Sequence, residues 1–464
     1  MGLLFLQNLK NVVQSSIMGY FKIVAPSDKS ISHRAVMFNG LASGKAVVHD
    51  LLLSLDTLAT LECFQKLGCR VELDGTTCTI YGCDWSGNVS TIDRHKWDSD
   101  VVLDCKNSGT TMRLMSGILA SKVGIKATLI GDTSLSARPM NRVIKPLLER
   151  GANITSNNGL APLNIVGSKL DAYTLDMPIA SAQLKSAILL SGLDASGSTT
   201  VFEPRVCRNH TEIMLKAMGA DITVQSYNLE NNSIIQNLYA GLNNSSSYKI
   251  IMKPSVLKST DMRVPGDISS AAFWMVLGAI KPDTTVCVTN VGINPTRDGI
   301  LKVFDKAGVN YRLLNIKNDV EMVADIEVSY TKDLKPFVID ETLVPLLIDE
   351  IPILALLACY CDGTTTIKDA SELRVKECDR IKAIVNSLKA LGADITETID
   401  GFVINSSNLR GGVSVDSYHD HRIAMMLEIA NVVVCDIETS HKECIAVSYP
   451  EFEAHLKKFC EENK

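Results

Sequence analysis

Apolar stretches with helical character alternate with short strand-like segments, and this pattern recurs six times along the chain. Each unit begins with polar residues, continues through an Ala-, Leu- and Met-rich stretch, passes a Gly or Asp-Gly turn and ends in a β-rich segment. The units begin at Ser30, Ser108, Ser181, Gly266, Asp349 and Asp420, and the last is the least complete. Because the polar residues crowd into the first turn, the pattern predicts six buried helices.

A second helix is predicted between these units. It ends in similar phrases, which read FQKLGCRV, LLERGANI, LKAMGADI, FDKAGVNY and LKALGADI. Gly after the last helical turn is a C-cap signal, and the alternation that follows suits a strand. At the apolar helices, Ser181, Asp349 and Asp420 are expected N-caps. The order of elements predicts a repeated α/β protein.

The domain organisation is indicated by a polar segment in the middle of the chain. Residues 226–247 are rich in Asn and Ser, which predicts loops and hairpins, with a domain boundary near residues 255–265. The six units then divide three and three. The N-terminal apolar run is short and has neither a preceding basic residue nor a cleavage site, so we expect neither a signal peptide nor a membrane span. Residues 1–17 are expected to form a loosely attached extension.

The composition narrows the class of protein. The chain has 464 residues, of which 46% are hydrophobic and 21% charged, as is typical of a soluble globular protein of two or three domains. Its formal net charge of −6 argues against a nucleic-acid binder. The thirteen cysteines contain no CxxC pair. For Cys359 and Cys361 we expect buried free thiols rather than a metal site, and the usage indicates a reducing, cytoplasmic compartment.

Several predicted helix starts combine small polar residues with a cation, and helix N-termini bind anions. The phrases are PSDKSISHR with Lys29, Ser30 and Arg34, NSGTTMR with Gly109, SLSARP with Arg138, and DHRIAM with Arg422. Taken singly, each phrase is a weak signal, because helix capping and a surface arginine would produce the same pattern. A lone histidine such as His421 is also more often structural than catalytic. Together the cations favour a small molecule with more than one anionic group.

The segment Glu372–Arg380 reads ELRVKECDR and carries six charged side chains. If residues 373–385 form one helix, Lys376 and Arg380 are neighbours on it, with Glu377 beside them. A solvated, salt-bridged face accounts for this pattern. The functional alternative is an anion held between the two cations, with the carboxylate placed to transfer a proton.

These phrases, in this order, resemble the EPSP synthase (3-phosphoshikimate 1-carboxyvinyltransferase) family from about Phe21 to Leu456. The most specific are SDKSISHR, NSGTTMR, ARP, SAQLKSA, RNHTE, VPGDISSAA, NPTR, LIDEIP, ELRVKECDR and DHRIAM. The resemblance implies the two-domain enolpyruvyl transferase fold, with three βαβαββ-like repeats in each domain around an interdomain cleft. It places an inserted domain at residues 28–263 and the other at residues 18–27 plus 264–464.

The resemblance also implies the reaction, in which the enolpyruvyl group of phosphoenolpyruvate is transferred to the 5-hydroxyl of shikimate 3-phosphate and phosphate is released. Carried over by motif, the residues expected to bind shikimate 3-phosphate are Lys29, Ser30, Arg34, Ser181, Gln183, Arg208, Asp349 and Lys376. Those expected to bind phosphoenolpyruvate are Lys29, Gly109, Arg138, Gln183, Arg380 and Arg422. Asp349 is the expected base, Glu377 the expected acid, and Lys29 assists proton movement. The chain is expected to be a monomer that uses no metal or organic cofactor and is inhibited by glyphosate.

The chain departs from the family pattern at several positions. Ser27 and Asp28 replace the Gly-Ser that often precedes the lysine, Ala182 replaces a serine, Glu372 replaces the asparagine of some members, and Val447 and Ser448 stand where some members carry a lysine. Because of the last change, the site for phosphoenolpyruvate has one cation fewer, unless Lys442 reaches it.

Two other functions are weighed against this one. UDP-N-acetylglucosamine enolpyruvyl transferases share the fold and reaction type, but they usually carry a cysteine shortly before the arginine that Arg138 matches. The loop here reads GDTSLSARP and has no cysteine. A catalytically silent anion-binding relative is the other alternative, and loss of Asp349, Glu377 or Lys29 would have favoured it.

Overall fold

The computed structural model describes residues 19–83, 85, 100–228, 233–237, 247–318 and 320–463. The predicted extension at residues 1–17 lies outside the described residues, and so does most of the predicted loop region between residues 229 and 246. No helix in the described ranges is long and apolar enough to cross a membrane.

The strands of the described residues are short, and most have four to seven residues. They are β1 (Gly19–Val24), β2 (Gly44–His49), β3 (Arg70–Asp74), β4 (Thr77–Gly82), β5 (Val101–Asp104), β6 (Lys126–Ile130), β7 (Asn153–Asn157), β8 (Leu160–Val166), β9 (Tyr173–Asp176), β10 (Thr199–Glu203), β11 (Ile222–Asn228), β12 (Ser233–Asn237), β13 (Ser247–Met252), β14 (Met262–Arg263), β15 (Thr284–Gly292), β16 (Asn310–Asn318), β17 (Met322–Ser329), β18 (Val338–Ile339), β19 (Thr364–Ile367), β20 (Ile395–Glu397), β21 (Phe402–Asn405), β22 (Val413–Asp416) and β23 (Ile437–Ser440).

The helices lie between these strands in an alternating order. They are α1 (Lys29–Leu41), α2 (Leu55–Lys66), α3 (Gly109–Ala120), α4 (Thr133–Ser136), α5 (Asn141–Glu149), α6 (Ala182–Ser191), α7 (His210–Ala217), α8 (Ile268–Ile280), α9 (Gly299–Ala307), α10 (Val344–Leu347), α11 (Ile351–Cys359), α12 (Arg380–Ala390), α13 (His421–Val434) and α14 (Phe452–Glu462). Two short 3-10 helices cover Ser371–Val375 and Lys442–Val447.

The strands assemble into six small sheets with a shared topology. Their strand orders are β14-β2-β4-β3, β5-β6-β8-β7, β12-β11-β13-β10-β9, β1-β15-β17-β16, β18-β19-β21-β20 and β22-β23. Each sheet contains one parallel pair, such as β5 with β6, and all but the last continue into an antiparallel hairpin, such as β7 with β8. The two-stranded sheet belongs to the unit that the sequence marked as incomplete. The repeated α/β architecture is therefore confirmed.

The six predicted apolar helices are confirmed as α1, α3, α6, α8, α11 and α13, and most of their residues are buried. Helix α3 packs against α1 and α6, while α8, α11 and α13 pack against one another. The five second helices are α2, α5, α7, α9 and α12. The glycine that follows each of them has a positive φ, as its C-cap position requires, at Gly68, Gly151, Gly219, Gly308 and Gly392.

The chain crosses between the two groups of three sheets twice. Strand β1 precedes α1 in sequence but pairs in parallel with β15, and β14 precedes α8 but pairs in parallel with β2. These two pairings support the predicted division at residues 28 and 263. The exact domain boundaries stay a prediction.

Two local predictions are confirmed and one is wrong. Ser181 accepts a hydrogen bond from the Leu184 amide at 3.4 Å, and Asp420 accepts one from the Arg422 amide at 2.8 Å, so both are N-caps. Asp349 is not the N-cap of α11, because that position belongs to Glu350. The short helix α10 ends just before Asp349. The carboxylate of Asp349 contacts basic side chains instead.

The cysteines are free thiols, as expected, and both Cys359 and Cys361 are buried. The sulfurs of Cys69 and Cys83 lie 2.9 Å apart.

Candidate active site

A cleft lies where the N-terminal ends of the buried helices meet. Its volume is about 550 Å³, which falls within the roughly 300–1,000 Å³ of small-molecule sites. All thirteen site residues predicted from the sequence line it, namely Lys29, Ser30, Arg34, Gly109, Arg138, Ser181, Gln183, Arg208, Asp349, Lys376, Glu377, Arg380 and Arg422. The structure thus brings together residues that lie up to 393 positions apart in the chain.

Arg380 is the centre of the charge network in this cleft. Its buried guanidinium lies 2.7 Å from Asp420 Oδ2, 2.6 Å from Glu377 Oε2 and 3.2 Å from Asp349 Oδ1. Burial alone would lower the pKa of Arg380, but these carboxylates outweigh it and raise the pKa. Arg380 therefore stays charged and holds the two candidate catalytic carboxylates beside each other.

Asp349 is surrounded by cations from both groups of sheets. Arg208 donates a hydrogen bond to one carboxylate oxygen, and Lys376 Nζ lies 3.6 Å from the other. Burial would raise the pKa of Asp349, but the surrounding cations, Lys376 first among them, hold that pKa well below its usual range. Asp349 is therefore ionised without substrate, which is the state that a general base requires.

Glu377 is also ionised in this state. Its carboxylate accepts from Arg380 and lies 4.0 Å from Arg138 Nη1. Burial would raise the pKa of Glu377, yet the nearby cations, with Arg380 the largest contributor, lower it below its ordinary value. A group in this environment can donate a proton only after a bound anion has offset the cations.

Several buried donors in the cleft have no partner among the described residues. Arg422 is 4% exposed, and its Nε and Nη1 atoms are unpaired. The Nε atom of Arg138 and the Nε2 atom of His421 are unpaired as well. Burial lowers the pKa of His421 well below its usual value, so the ring is neutral at pH 7. Because buried polar groups are almost always hydrogen-bonded, the unpaired donors of Arg422 and Arg138 indicate a site for an anion.

Arg34 is held rigidly by its neighbours. Its Nε donates to Thr211 Oγ1 at 2.8 Å, Nη2 to Ser186 Oγ at 2.8 Å, and Nη1 to the Ser30 carbonyl at 2.9 Å. Burial lowers the pKa of Arg34 to about 10. A guanidinium carries five N–H groups, so one on each terminal nitrogen remains for another acceptor, and Arg34 lines the cleft.

Lys29 follows the cap of helix α1 and meets a carboxylate from the neighbouring helix. Its Nζ lies 3.2 Å from Asp56 Oδ2, and both side chains line the cleft. Asp56 is therefore a site neighbour that the sequence did not reveal.

Arg113 is the site residue that the sequence most clearly missed. It lines the cleft and donates to Gln183 Oε1 at 2.7 Å, while Gln183 Nε2 donates to Thr110 Oγ1 at 3.0 Å. Burial lowers the pKa of Arg113 to about 10. The signal was present in NSGTTMR, because Arg113 follows Gly109 by four positions and so shares its helix face.

The segment ELRVKECDR is not one helix, so the condition considered for residues 373–385 is not met. A 3-10 helix ends at Val375, Lys376 has a non-helical backbone, and α12 begins at Arg380 with Asp379 as its N-cap. This break lets the side chains of residues 376 and 377 enter the cleft beside Arg380.

The remaining charges of this segment are salt-bridged, as expected. Arg374 pairs with Asp379 at 2.8 Å and with Glu397 at 2.9 Å. Glu372 forms a two-point pair with Arg142, at 2.6 and 3.0 Å, at the edge of the cleft. Arg374 and Asp379 therefore support the segment rather than face a ligand.

Lys442 does not replace the missing lysine. Its Nζ lies 3.4 Å from Glu453 Oε1 and 3.9 Å from Glu428 Oε2, and it does not line the cleft. We therefore expect Lys442→Ala to change the KM for phosphoenolpyruvate by less than about twofold, since no contact with the site is lost. Steady-state kinetics check this, and a rise of about tenfold would show that the side chain reaches phosphoenolpyruvate after all.

One group of potential metal ligands occurs among the described residues, formed by His419, His441 and Glu443. All three side chains are exposed, and none of them lines the cleft.

Comparison with known proteins identifies the family. The family model described as "EPSP synthase (3-phosphoshikimate 1-carboxyvinyltransferase)" matches residues 20–456. The 3-phosphoshikimate 1-carboxyvinyltransferase of Geobacillus kaustophilus is 44% identical over 449 residues, covering 96% of this chain and 98% of the relative. A solved structure of EPSP synthase from Acinetobacter baumannii aligns with a TM-score of 0.78 at 37% identity, covering 95% of this chain and 96% of that one.

A more distant structure supports the fold alone. The enolpyruvyl transferase NikO from Streptomyces tendae aligns with a TM-score of 0.70 at 17% identity, covering 95% of this chain and 94% of that one. The six sheets and their central cleft are thus the two-domain enolpyruvyl transferase fold. With a match across nearly its whole length, the chain belongs to the EPSP synthase (3-phosphoshikimate 1-carboxyvinyltransferase) family.

Proposed function

We propose that this chain transfers the enolpyruvyl group of phosphoenolpyruvate to the 5-hydroxyl of shikimate 3-phosphate, giving 5-enolpyruvylshikimate 3-phosphate and phosphate, a step of chorismate and aromatic amino acid biosynthesis. The observation that carries the proposal is a cleft that combines two half-buried carboxylates, Asp349 and Glu377, with cations whose donors lack partners. Two anionic substrates would supply those partners. Arginine forks suit both phosphate and carboxylate groups.

The proposed binding roles follow the layout of the cleft. Shikimate 3-phosphate is held by Lys29, Ser30, Arg34, Ser181, Gln183, Arg208, Asp349 and Lys376, and phosphoenolpyruvate by Lys29, Gly109, Arg138, Gln183, Arg380 and Arg422. Support comes from the helix starts that line the cleft. Arg34 lies on α1 and Ser181 caps α6, whereas Arg380 begins α12 and Arg422 lies in the first turn of α13. Lys29 and Gln183 belong to both sets, so the two substrates would bind next to each other.

In the addition step, Asp349 takes the proton of the 5-hydroxyl while the oxygen attacks C2 of phosphoenolpyruvate. Glu377 donates a proton to the methylene carbon, which becomes a methyl group. In the elimination step, the ionised Glu377 takes a proton back from this methyl group, the C–O bond to phosphate breaks and the double bond is restored. Asp349 returns its proton to the departing phosphate. Lys29 assists proton movement, and the arginines stabilise the charge on the leaving phosphate.

The ionised state of Glu377 sets a condition on this mechanism. Its pKa is lowered by Arg380 and Arg138 in the substrate-free cleft, against the effect of burial. Phosphoenolpyruvate and shikimate 3-phosphate bring several negative charges to the same cations. These charges offset the attraction and raise the pKa of Glu377, so that it can hold the proton that it donates.

A phosphate-release assay with each acceptor tests the proposed function. We expect the protein to release phosphate from phosphoenolpyruvate with shikimate 3-phosphate and not with UDP-N-acetylglucosamine. Release with the second acceptor alone would assign the chain to the other enolpyruvyl transferase reaction. Tight binding of shikimate 3-phosphate without any release would indicate a catalytically silent relative.

Glyphosate is the proposed inhibitor, competitive with phosphoenolpyruvate. Gly109 leaves space beside two cations, since a Cβ placed there would lie 2.9 Å from Arg113 Nη1 and 3.8 Å from Arg138 Nη1. We expect Gly109→Ala to weaken glyphosate inhibition by at least about tenfold and to raise the KM for phosphoenolpyruvate less, because the larger ligand loses more space. Inhibition constants measured for both proteins check this, and equal constants would contradict it.

The protein is further proposed to act as a monomer in the cytoplasm. Light scattering of the purified chain and fractionation of its source cells test these two points.

A further inference from the structure

The two segments where the chain crosses between the groups of sheets share the pattern P-x-D-x-S. One reads PSDKS at Pro26–Ser30 and the other PGDIS at Pro265–Ser269. The segments run antiparallel and exchange hydrogen bonds. The Asp28 amide donates to the Pro265 carbonyl at 2.7 Å, and the Asp267 amide donates to the Pro26 carbonyl at 2.7 Å. The crossings therefore form one paired unit.

Each aspartate of this unit also starts a buried helix. Asp28 Oδ1 accepts from the Ile31 amide at 2.8 Å and caps α1, and Asp267 Oδ1 accepts from the Ser269 amide at 2.9 Å and caps α8. The two carboxylates share one cation. Arg297 Nη1 lies 3.4 Å from Asp28 Oδ2, and Arg297 Nη2 lies 3.1 Å from Asp267 Oδ1.

Arg297 is buried, with 3% of its surface exposed, and it reaches a third helix start. Its Nη2 donates to Ser269 Oγ at 2.6 Å and lies 3.9 Å from Glu350 Oε1. The Ser269 hydroxyl in turn donates to Glu350, which is the N-cap of α11. Burial would lower the pKa of Arg297, but Asp28, Asp267 and Glu350 outweigh it and raise the pKa, so the guanidinium stays charged.

The partners of Arg297 are next to the proposed catalytic groups in sequence. Asp28 precedes Lys29, and Glu350 follows Asp349. We propose that Arg297 is a positioning residue that fixes Lys29 and Asp349 relative to each other by bridging both chain crossings and the start of α11. This inference rests on the proposed function. Its geometric part, the bridge itself, is independent of that function.

A shift of Lys29 relative to Asp349 would change kcat more than the binding of shikimate 3-phosphate. Misplacing reacting groups by about 1 Å costs roughly 100-fold in rate. Arg297 also lines the cleft, but Arg34 is held by Thr211 and Ser186, so shikimate 3-phosphate would keep its contact with that side chain. The expected signature is therefore a fall in kcat with little change in the KM for this substrate.

The test variant is Arg297→Lys, which keeps the charge but loses the planar fork that bridges two carboxylates. We expect kcat to fall by roughly 10- to 100-fold and the KM for shikimate 3-phosphate to change by less than about twofold. The matched control is Arg312→Lys. Arg312 pairs with Glu327 at 2.6 Å on a strand, and 69% of its side chain is exposed, so kcat should stay within about twofold.

Hydrogen exchange provides a readout besides activity. In Arg297→Lys the amides of Asp28 and Asp267 should exchange faster, with protection elsewhere unchanged. Unchanged kcat, or a uniform loss of protection across the molecule, would overturn the proposal. If the unaltered protein releases no phosphate, the proposed function fails, while the exchange data still decide whether Arg297 holds the crossings together.

A second variant covers the case in which Arg297→Lys does not fold. Asp267→Asn keeps the N-cap of α8, because Asn caps helices about as well as Asp, but it removes one carboxylate from Arg297. We expect Asp267→Asn to lower kcat, as Arg297→Lys does, and to leave the KM for shikimate 3-phosphate unchanged. Wild-type kcat in this variant would overturn the proposal.

Discussion

Asp349→Asn is expected to lower kcat by about 10²- to 10⁴-fold, which is the usual contribution of a general base. The carboxamide cannot accept the proton of the 5-hydroxyl. It also withdraws the anion that Arg208, Lys376 and Arg380 share in the substrate-free cleft. Steady-state kinetics with shikimate 3-phosphate give the result, and a thermal unfolding curve shows whether the variant is folded.

Asp379→Asn is the matched control for this prediction. Asp379 caps α12 through the Lys382 amide at 3.1 Å and pairs with Arg374, away from the reacting groups. Asn retains the cap, so we expect kcat within about twofold of the unaltered protein. A folded Asp349→Asn variant that turns over as fast as this control would remove Asp349 from the mechanism.

Glu377→Gln is expected to lower kcat by about 10²- to 10⁴-fold while both substrates still bind, because the amide cannot donate a proton to the methylene carbon. The neutral side chain also removes the Glu377 carboxylate from Arg138 and from Arg380, although Arg380 keeps Asp349 and Asp420. Phosphoenolpyruvate should therefore bind as tightly as before or more tightly. Equilibrium binding and single-turnover kinetics separate the two effects.

Glu397→Gln serves as the control for the carboxylate-to-amide change. Glu397 pairs with Arg374 at 2.9 Å and is partly exposed on β20. We expect its kcat to stay within about twofold, as is usual for surface pairs. If Glu377→Gln behaves in the same way with both substrates bound, another group must supply the proton.

The sequence predicted the parts of the structure that depend on local pattern. The six buried helices follow from apolar runs with polar first turns, and the positive φ at Gly68 and Gly392 follows from their place after a helix. The thirteen site residues could be placed because ten phrases matched one family in order. In the structure all thirteen residues line one cleft.

The sequence could not predict contacts between distant segments. Asp349 was expected to cap a helix, but Arg208, 141 positions earlier, and Arg380 take its carboxylate. The helix is interrupted at Lys376 because Asp379 caps a new helix that begins at Arg380. The charge pattern of ELRVKECDR does not reveal this. Arg297 lies in NPTR, a phrase that matched the family without suggesting what its arginine contacts.

The most direct test of the proposed reaction is to run it in deuterium oxide with shikimate 3-phosphate and phosphoenolpyruvate, and to measure the product by mass spectrometry. Addition places a solvent deuteron on the methylene carbon, and elimination then removes one of the three hydrogens of the methyl group. The proposal predicts phosphate release together with deuterium in the vinyl group of the 5-enolpyruvylshikimate 3-phosphate. Absence of this product, or a product without deuterium, would contradict addition and elimination in this cleft.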